Sequence, residues 1–291
     1  MKDFKGKNAV ITGGASGIGL AIALRLAREQ MNIVLADVEA GALELAVKQI
    51  TATGVEACGI VTDVSDFDSV TALAERARER FGAVHVLCNN AGVGAMEDLP
   101  VWELPLNDWR WTINVNLWGV IHGIKAFVGD MVAHGEPGHV INTSSGNGGL
   151  IVLPNTPIYA TSKAAVSTVT EALYYQLVQS GSSIKASVLY PGPHIVASNI
   201  FTAARNRPTE LERETPSDGP PLTLETIKEL AAGAGITLES TEPEEVAENF
   251  MEGLRNDSYF ILPSSKDGDA RVKARMQAIL DRTDPEPPQL F

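Results

Sequence analysis

The sequence is poor in the residues that several classes of function require. Its 291 residues include two cysteines, Cys58 and Cys88, whose separation matches no metal-binding spacing and predicts buried, unreactive thiols. Lys and Arg number 23 against 36 Asp and Glu, which gives a net charge of -13. Nucleic acids and anionic membranes bind basic patches, so this balance argues against both as partners. We expect no metal site.

Long apolar runs are also missing. No stretch reaches the roughly 18 consecutive apolar residues that a membrane helix needs, and the first residues, Met1–Lys5, lack the apolar core of a secretory signal. Together with the low cysteine content, these absences predict a cytoplasmic protein. The hydrophobic content of 44% is ordinary for a globular chain.

Apolar runs and amphipathic stretches alternate along the chain. This alternation predicts an α/β fold in which helices cover both faces of a parallel sheet. The predicted strands are residues 8–12, 32–37, 59–62, 84–89, 139–144, 184–189 and 259–262. The predicted helices are residues 18–28, 42–49, 70–80, 108–134, 158–180, 244–254 and 269–282. No interdomain linker interrupts residues 1–291, so we expect a single domain.

The alternation breaks between residues 201 and 240. This segment is rich in proline and acidic residues and contains one amphipathic stretch, predicted as a helix over 224–232. Segments of this length inside a compact domain are usually lids or disordered, and we interpret it as a substrate lid. The proline-rich tail, residues 284–291, is predicted to be loose.

A glycine-rich turn, Thr12–Gly19, joins the first predicted strand to the first helix. Glycines there let the backbone approach a pyrophosphate, and the helix N-terminus offers N–H donors to it. The spacing of Gly13, Gly17 and Gly19 is not the common dinucleotide pattern, so an ordinary tight connection is the alternative. Its place in the first strand–helix turn favours the cofactor site.

Asp37 ends the second predicted strand. A carboxylate at this position can accept the ribose hydroxyls of NAD, and it repels the 2′-phosphate of NADP. No Lys or Arg follows it in the sequence, so the pattern favours NAD over NADP. The alternative is a solvated loop aspartate.

Polar residues also end the third, fourth and fifth predicted strands, where ligands bind in such sheets. The third strand is followed by Asp63 and Val64, and the fourth by Asn90, Ala91 and Gly92; each could equally be a turn residue. Ser144 and Ser145 end the fifth strand, where a hydroxyl can bond a substrate oxygen. Asn116 lies within an apolar helical stretch and needs a buried partner.

Tyr159 and Lys163 lie four residues apart on a predicted helix and therefore share a face. A nearby ammonium lowers the pKa of a phenol, so the pair predicts a general base able to take a proton from an alcohol. Alone, the spacing proves little, because such a pair on a helix is usually a packed ring and a solvated amine.

Together these motifs resemble the short-chain dehydrogenase/reductase family over about residues 5 to 200. The resemblance implies a Rossmann-like, doubly wound sheet of seven parallel strands and a homodimer or homotetramer. It implies a catalytic tetrad of Asn116, Ser145, Tyr159 and Lys163, with Ser144 as the alternative serine. It also implies that the residues binding NAD are Gly13, Ser16, Gly17, Ile18, Gly19, Asp37, Asp63, Val64, Asn90, Ala91, Gly92, Tyr159, Lys163, Pro191 and Gly192.

The sequence departs from the family pattern after Pro191 and Gly192. The family usually has Pro-Gly-x-Val-x-Thr there, whereas this chain has Pro-Gly-Pro-His-Ile-Val-Ala-Ser over residues 191–198. Ile195 or Val196 would supply the backbone contact to the nicotinamide carboxamide, and Ser198 would replace the threonine.

The lid, the glycine turn and Ser198–Ile200 more loosely resemble the Cα-dehydrogenases, which oxidise benzylic alcohols of lignin-type aryl ethers. We expect Ser145, His194 and Asn155 to contact the substrate, with Ile151–Leu153 and Phe201 lining a roomy apolar pocket. The tryptophans near the long helix are expected to pack or to line a subunit interface. The alternatives are reduction of another hydrophobic ketone, an NAD-sensing module without turnover, and nucleotide-sugar epimerisation or dehydration.

Overall fold

Buried apolar strands and amphipathic helices assemble into one central sheet. The computed structural model describes residues 1–94, 97, 99–214, 223–233, 235 and 237–286. Within them seven strands pair in parallel in the order β3-β2-β1-β4-β5-β6-β9, which confirms the predicted Rossmann-like sheet. These strands are β1 Asn8–Thr12, β2 Asn32–Asp37, β3 Ala57–Val61, β4 Val86–Asn89, β5 Gly138–Thr143, β6 Ile184–Leu189 and β9 Phe260–Ile261.

Helices cover both faces of the sheet. They are α1 Gly17–Arg28, α2 Ala40–Thr51, α3 Phe67–Phe81, α4 Leu106–Ile113, α5 Gly119–His134, the short turn α6 Gly146–Gly149, α7 Pro157–Gln179, α8 Leu224–Gly233, α9 Pro243–Asn256 and α10 Lys266–Asp281. One core, with Ile22 and Phe250, lies under α1 and α9. A second, with Leu73 and Phe127, lies under α3 and α5. Both are fully buried apolar layers, so the strand ends that carry polar residues are held on a rigid frame.

The predicted long helix over residues 108–134 is continuous but not regular. A π-helical segment, Asn114–Trp118, joins α4 to α5. The wider turn contains Asn116, which is fully buried. Single π-helical turns of this kind occur frequently at functional sites.

The described residues of the segment after β6 contain several short elements. Two short strands, β7 Ile195–Val196 and β8 Ser240–Thr241, pair in parallel and bring the two ends of the segment together. Between them lie 3-10 turns at Asn199–Asn206 and Thr209–Leu211, followed by α8. Part of the predicted lid and the last five residues of the predicted tail lie outside the described residues. Among the described helices, none has both the length and the apolarity to cross a membrane.

Candidate active site

A cleft opens along the carboxyl edge of the sheet, where the predicted site residues converge. It runs from the ends of β1, β2 and β3 to α7 and the start of the segment after β6. The predicted cofactor residues that line it are Gly13, Ser16, Gly17, Ile18, Asp37, Asp63, Val64, Asn90, Ala91, Gly92, Tyr159, Lys163, Pro191 and Ser198. The other predicted cofactor residues, Gly19, Gly192, Ile195 and Val196, do not belong to this lining.

The glycine turn has the close packing that a dinucleotide site requires. Gly13 has φ +63°, and a Cβ there would lie 2.8 Å from the Cα of Ala91. A Cβ on Gly19 would lie 2.1 Å from the carbonyl oxygen of Gly13, so α1 can approach the turn only with glycine at this position. The N-terminus of α1 has no side-chain cap and no acidic residue in its first turn. Its amide N–H groups therefore suit a phosphate, and the site fits a dinucleotide.

Asp37 lies beside that turn. Its carboxylate accepts hydrogen bonds from the Ala15 amide at 3.0 Å and from the Glu39 amide at 3.1 Å. These bonds fix the carboxylate at the end of β2. The sequence did not predict a cation at this position, because Arg205 belongs to a segment that is distant in the chain. Its guanidinium pairs with Glu39 at 2.5 Å.

Asn116 is held by three hydrogen bonds. Its Oδ1 accepts from the Val93 amide at 2.7 Å, and its Nδ2 donates to the Val93 carbonyl at 2.9 Å and to the Ser162 hydroxyl at 3.0 Å. A Cβ on Gly92 would lie 3.4 Å from both this Oδ1 and the Lys163 Nζ. The asparagine therefore links the loop after β4 to the helix that carries Lys163.

Tyr159 and Lys163 lie on the inner face of α7. The Ser145 side chain interacts with the phenol and acts to lower its pKa, and the Lys163 Nζ lies 5.7 Å from the centre of the tyrosine ring. The same Nζ donates to the Thr143 carbonyl at 2.9 Å, and the residue is 3% exposed. The phenol and one buried cation thus meet at the wall of the cleft, whereas Ser145 does not belong to its lining.

Burial dominates the electrostatics of this pair. It lowers the pKa of Lys163 to about 8 and raises the pKa of the Tyr159 phenol, while the hydrogen bond with Ser145 acts in the opposite direction. The sequence predicted a phenol pKa lowered by the lysine. In the protein without ligand that prediction is wrong, because the free-energy cost of removing the phenolate from water exceeds the stabilisation that the neighbouring groups provide.

The two adjacent serines have different surroundings. The Ser144 hydroxyl donates to the Lys163 carbonyl at 2.8 Å and shares a hydrogen bond of 2.8 Å with Ser167. The Ser145 hydroxyl accepts from the Asn147 amide at 3.2 Å and meets the phenol. Ser144 therefore attaches α7 to the end of β5, while Ser145 faces the tyrosine.

The expected substrate contacts are placed less favourably. The imidazole of His194 is 3.0 Å from the Glu239 carboxylate and outside the cleft lining. The Asn155 carbonyl accepts from the Glu97 amide at 3.2 Å. Neither these two residues nor the expected apolar residues, Ile151–Leu153 and Phe201, belong to the lining.

The apolar end of the cleft comes from other residues. Trp111 is 5% exposed and packs with Val93 and Ala203, and Leu211 completes the cluster. The sequence placed the tryptophans in packing or at an interface, and Trp111 both packs and lines the cleft. No sequence signal separates Trp111 from the other three tryptophans, because only the fold brings residues 203 and 211 against it.

Comparisons with known proteins agree with this geometry. The pattern of the short chain dehydrogenase family matches residues 7–207. The chain is similar to a C alpha-dehydrogenase of Sphingobium sp., with 34% identity covering 98% of this chain and 89% of the relative. A 1-deoxy-11-beta-hydroxypentalenate dehydrogenase of Streptomyces exfoliatus is 33% identical over 92% of this chain and 86% of its own length.

A solved structure extends the similarity to the whole chain. A short chain dehydrogenase/reductase from Burkholderia phymatum, in complex with NAD, superposes with a TM-score of 0.88 and 37% identity over 100% of both chains. The sheet order, the glycine turn and the family match all support the same family assignment. The chain belongs to the short-chain dehydrogenase/reductase family and is an oxidoreductase acting on CH–OH groups.

Proposed function

We propose that the protein interconverts a bulky secondary aryl carbinol and its ketone, with NAD as the hydride carrier. The observation that carries the proposal is the Tyr159 phenol on the wall of the cleft, with the buried amine of Lys163 5.7 Å from its ring centre and the Ser145 side chain acting on it. A phenol and a hydroxyl placed together beside a dinucleotide-shaped cleft are suited to hold the oxygen of an alcohol and to move its proton.

In this proposal Tyr159 removes the hydroxyl proton of the carbinol, and Ser145 holds the same oxygen by a hydrogen bond. The charge on Lys163 stabilises the tyrosinate as it forms. Asn116 holds a water that relays the proton outward, with its side chain fixed by Val93 and Ser162. Holding the alcohol oxygen at two points orients its carbinol carbon for hydride removal.

The dinucleotide would lie along the cleft. Amides at the start of α1 would bind the pyrophosphate, Asp37 the adenosine ribose hydroxyls, and Lys163 the second ribose. When bound, the nicotinamide supplies the hydride acceptor. Asp37 supports NAD over NADP, and the guanidinium of Arg205, which reaches this end of the cleft, is already paired with Glu39.

The substrate class is inferred from the apolar end of the cleft and from a relative. Trp111, Val93, Ala203 and Leu211 form an apolar wall, which suits a flat aromatic group. The 34% identical relative is named a C alpha-dehydrogenase. We assign the segment over residues 201–240 as the lid of this pocket, because residues near its start, such as Ala203 and Arg205, line the cleft.

The test is NADH formation at 340 nm with a panel of secondary alcohols that includes bulky aryl carbinols. Tyr159→Phe should keep NAD binding and lose turnover by at least about a thousandfold, since the general base is gone. Tyr175→Phe is a matched control, because Tyr175 lies on the same helix and its hydroxyl bonds the exposed Glu171 at 2.6 Å. Turnover that survives Tyr159→Phe would refute the assignment.

A second substrate class is the alicyclic alcohols. It is favoured by the 33% identity to a hydroxypentalenate dehydrogenase. Adding fused-ring alcohols to the panel separates the two classes, and NAD binding without turnover of any alcohol would favour a sensing module instead.

We also propose that the protein is a homodimer or homotetramer. The large side chains of Trp118, Tyr175 and Val178 are half exposed on the π-helical segment and α7, and exposed apolar residues of this kind are typical of subunit interfaces. Light scattering coupled to size exclusion measures the mass, and a monomer would refute the proposal.

A further inference from the structure

Helix α7, which carries Tyr159 and Lys163, begins without a cap of its own. The residue before it, Thr156, makes no side-chain capping bond, and the first turn contains no acidic residue. The first amides of a helix have no partner within the helix. A partner must therefore come from elsewhere in the fold.

That partner is Glu97, 61 residues before Ile158 in the chain. Its Oε2 accepts from the Ile158 amide at 3.0 Å, and its Oε1 accepts from the Tyr159 amide at 3.4 Å. Glu97 is 8% exposed. Its own amide donates to the Asn155 carbonyl at 3.2 Å, so the loop after β4 and the start of α7 bind each other in both directions.

One of the two amides that Glu97 binds belongs to Tyr159 itself. A shift of this first turn would move the phenol relative to Ser145, which stands on a different element at the end of β5. The ring also lies close to this loop, since a Cβ on Gly94 would lie 3.0 Å from it. Gly94 and Glu97 thus lie against the ring and the backbone of Tyr159, respectively.

We propose that Glu97 is a positioning residue of the dehydrogenase proposed above: its carboxylate fixes the first turn of α7 and so holds the Tyr159 phenol against Ser145. The expected effect of Glu97 on catalysis rests on the proposed function. The contacts of Glu97 with Ile158 and Tyr159 do not depend on that function.

The pKa of Glu97 distinguishes a positioning role from simple stabilisation of helix α7. Burial raises the pKa of Glu97 to about 7, the two amides and Arg213 lower it, and Asp108 on α4 raises it. Asp108 is itself paired with Arg207 and Arg213. A carboxyl with a raised pKa contributes stability at low pH that is lost as the pH rises through 7. At pH 8 the ionised group therefore lowers stability while it holds the turn.

The test compares Glu97→Gln with Glu97→Asp and the wild type. The glutamine variant retains one acceptor oxygen, so the turn keeps one bond and loses the other. We expect kcat at pH 8 to fall about tenfold with the KM for NAD unchanged within about twofold, and the melting temperature to stay equal or rise. We expect wild-type kcat to fall as Glu97 becomes protonated below pH 7, and this fall should be smaller in Glu97→Gln.

The aspartate variant and a capping residue elsewhere supply the controls. Glu97→Asp keeps the charge but withdraws it by one methylene, so its kcat should lie between those of the wild type and Glu97→Gln. Asp66→Asn is the matched control, because Asp66 caps α3 through the Asp68 amide at 3.0 Å and α3 carries no residue of the proposed tetrad. This change keeps a capping oxygen, so it should alter the melting temperature little and leave kcat and its pH profile unchanged.

Wild-type kcat and pH profile in Glu97→Gln would overturn the proposal, as would a lower melting temperature with kcat unchanged. If the wild type turns over no alcohol, the proposed function fails, and hydrogen exchange decides the positioning claim separately. Glu97→Gln should then accelerate exchange of the peptide over residues 157–162 at least about fivefold, relative to the start of α3. Unchanged exchange there would overturn it.

Discussion

Replacing Lys163 by methionine tests the electrostatics of the site without any substrate. The ammonium is 3% exposed, and its one hydrogen bond among the described residues is to the Thr143 carbonyl at 2.9 Å. Burial lowers its pKa from 10.5 to about 8. A pKa shift is a difference in stability between the two protonation states, so the charge in the folded protein has a measurable cost.

The sign and size follow from proton linkage. Between pH 8 and 10.5 the unfolded chain keeps a proton on Lys163 that the folded protein has released, so the stability of the wild type rises with pH. Relative to Lys163→Met, which cannot titrate, the wild type should gain about 2 kcal/mol between about pH 7 and pH 10. At about pH 7 the variant should be as stable as the wild type, because loss of the bond to Thr143, about 1–2 kcal/mol, offsets removal of the buried charge.

The assay is urea unfolding of the ligand-free protein at pH 7, 8, 9 and 10, followed by tryptophan fluorescence. Lys125→Met is the control, since the Lys125 Nζ lies over the Phe67 ring at 5.9 Å, outside the cleft lining. A difference between the wild type and Lys163→Met that stays constant, or falls, as pH rises would refute the assignment of a buried, destabilised ammonium. Lys163→Met should also lose turnover, since no cation remains beside the phenol.

Three further predictions concern single contacts. Asp37→Ser should raise kcat/KM for NADP relative to NAD about thirtyfold, because about 2 kcal/mol of repulsion of a 2′-phosphate is removed; steady-state kinetics with both cofactors measures it, and an unchanged ratio contradicts it. Ser145→Ala should lower kcat about a hundredfold with little loss of stability, whereas Ser144→Ala should lower the free energy of unfolding by about 1–2 kcal/mol and keep most activity; the reverse pattern would exchange their roles. Gly94→Ala should lower kcat about tenfold with NAD affinity unchanged, because its Cβ would displace the ring of Tyr159; tighter or weaker NAD binding with normal kcat would argue otherwise.

The parts of the fold that sequence predicted well are those governed by local patterns. Short buried strands, such as Val86–Asn89 and Gly138–Thr143, alternate with amphipathic helices, and that rhythm specifies a parallel sheet. The glycine turn and Asp37 follow directly from strand ends. Since the carboxyl ends of parallel strands share an edge, their convergence on one cleft needs no long-range information.

Contacts between distant segments could not be predicted in this way. Arg205 reaches Glu39 across 166 residues, and Trp111 meets Ala203 and Leu211 only after the segment behind β6 has folded over the cleft. Glu97 lies in the loop beyond a predicted strand and has no spacing relation to Tyr159. The spacing of apolar residues does not predict such pairs, because it indicates which face of an element is buried but not which residues pack against that face.

Helix propensity alone does not account for the residues at the start of α7. Its first turn has no cap within its own sequence, Lys163 is buried with a depressed pKa, and Tyr159 is buried with a raised one. The buried ammonium lowers the stability of the ligand-free protein at neutral pH, whereas the raised phenol pKa makes ionisation of Tyr159 costly. All three features lie at the start of the helix, where it faces the cleft. A chain selected for stability alone would place a capping residue and apolar side chains there. The local conflicts therefore coincide with the proposed chemistry, where a bound dinucleotide and an alcohol would satisfy the groups that the empty protein leaves in unfavourable states.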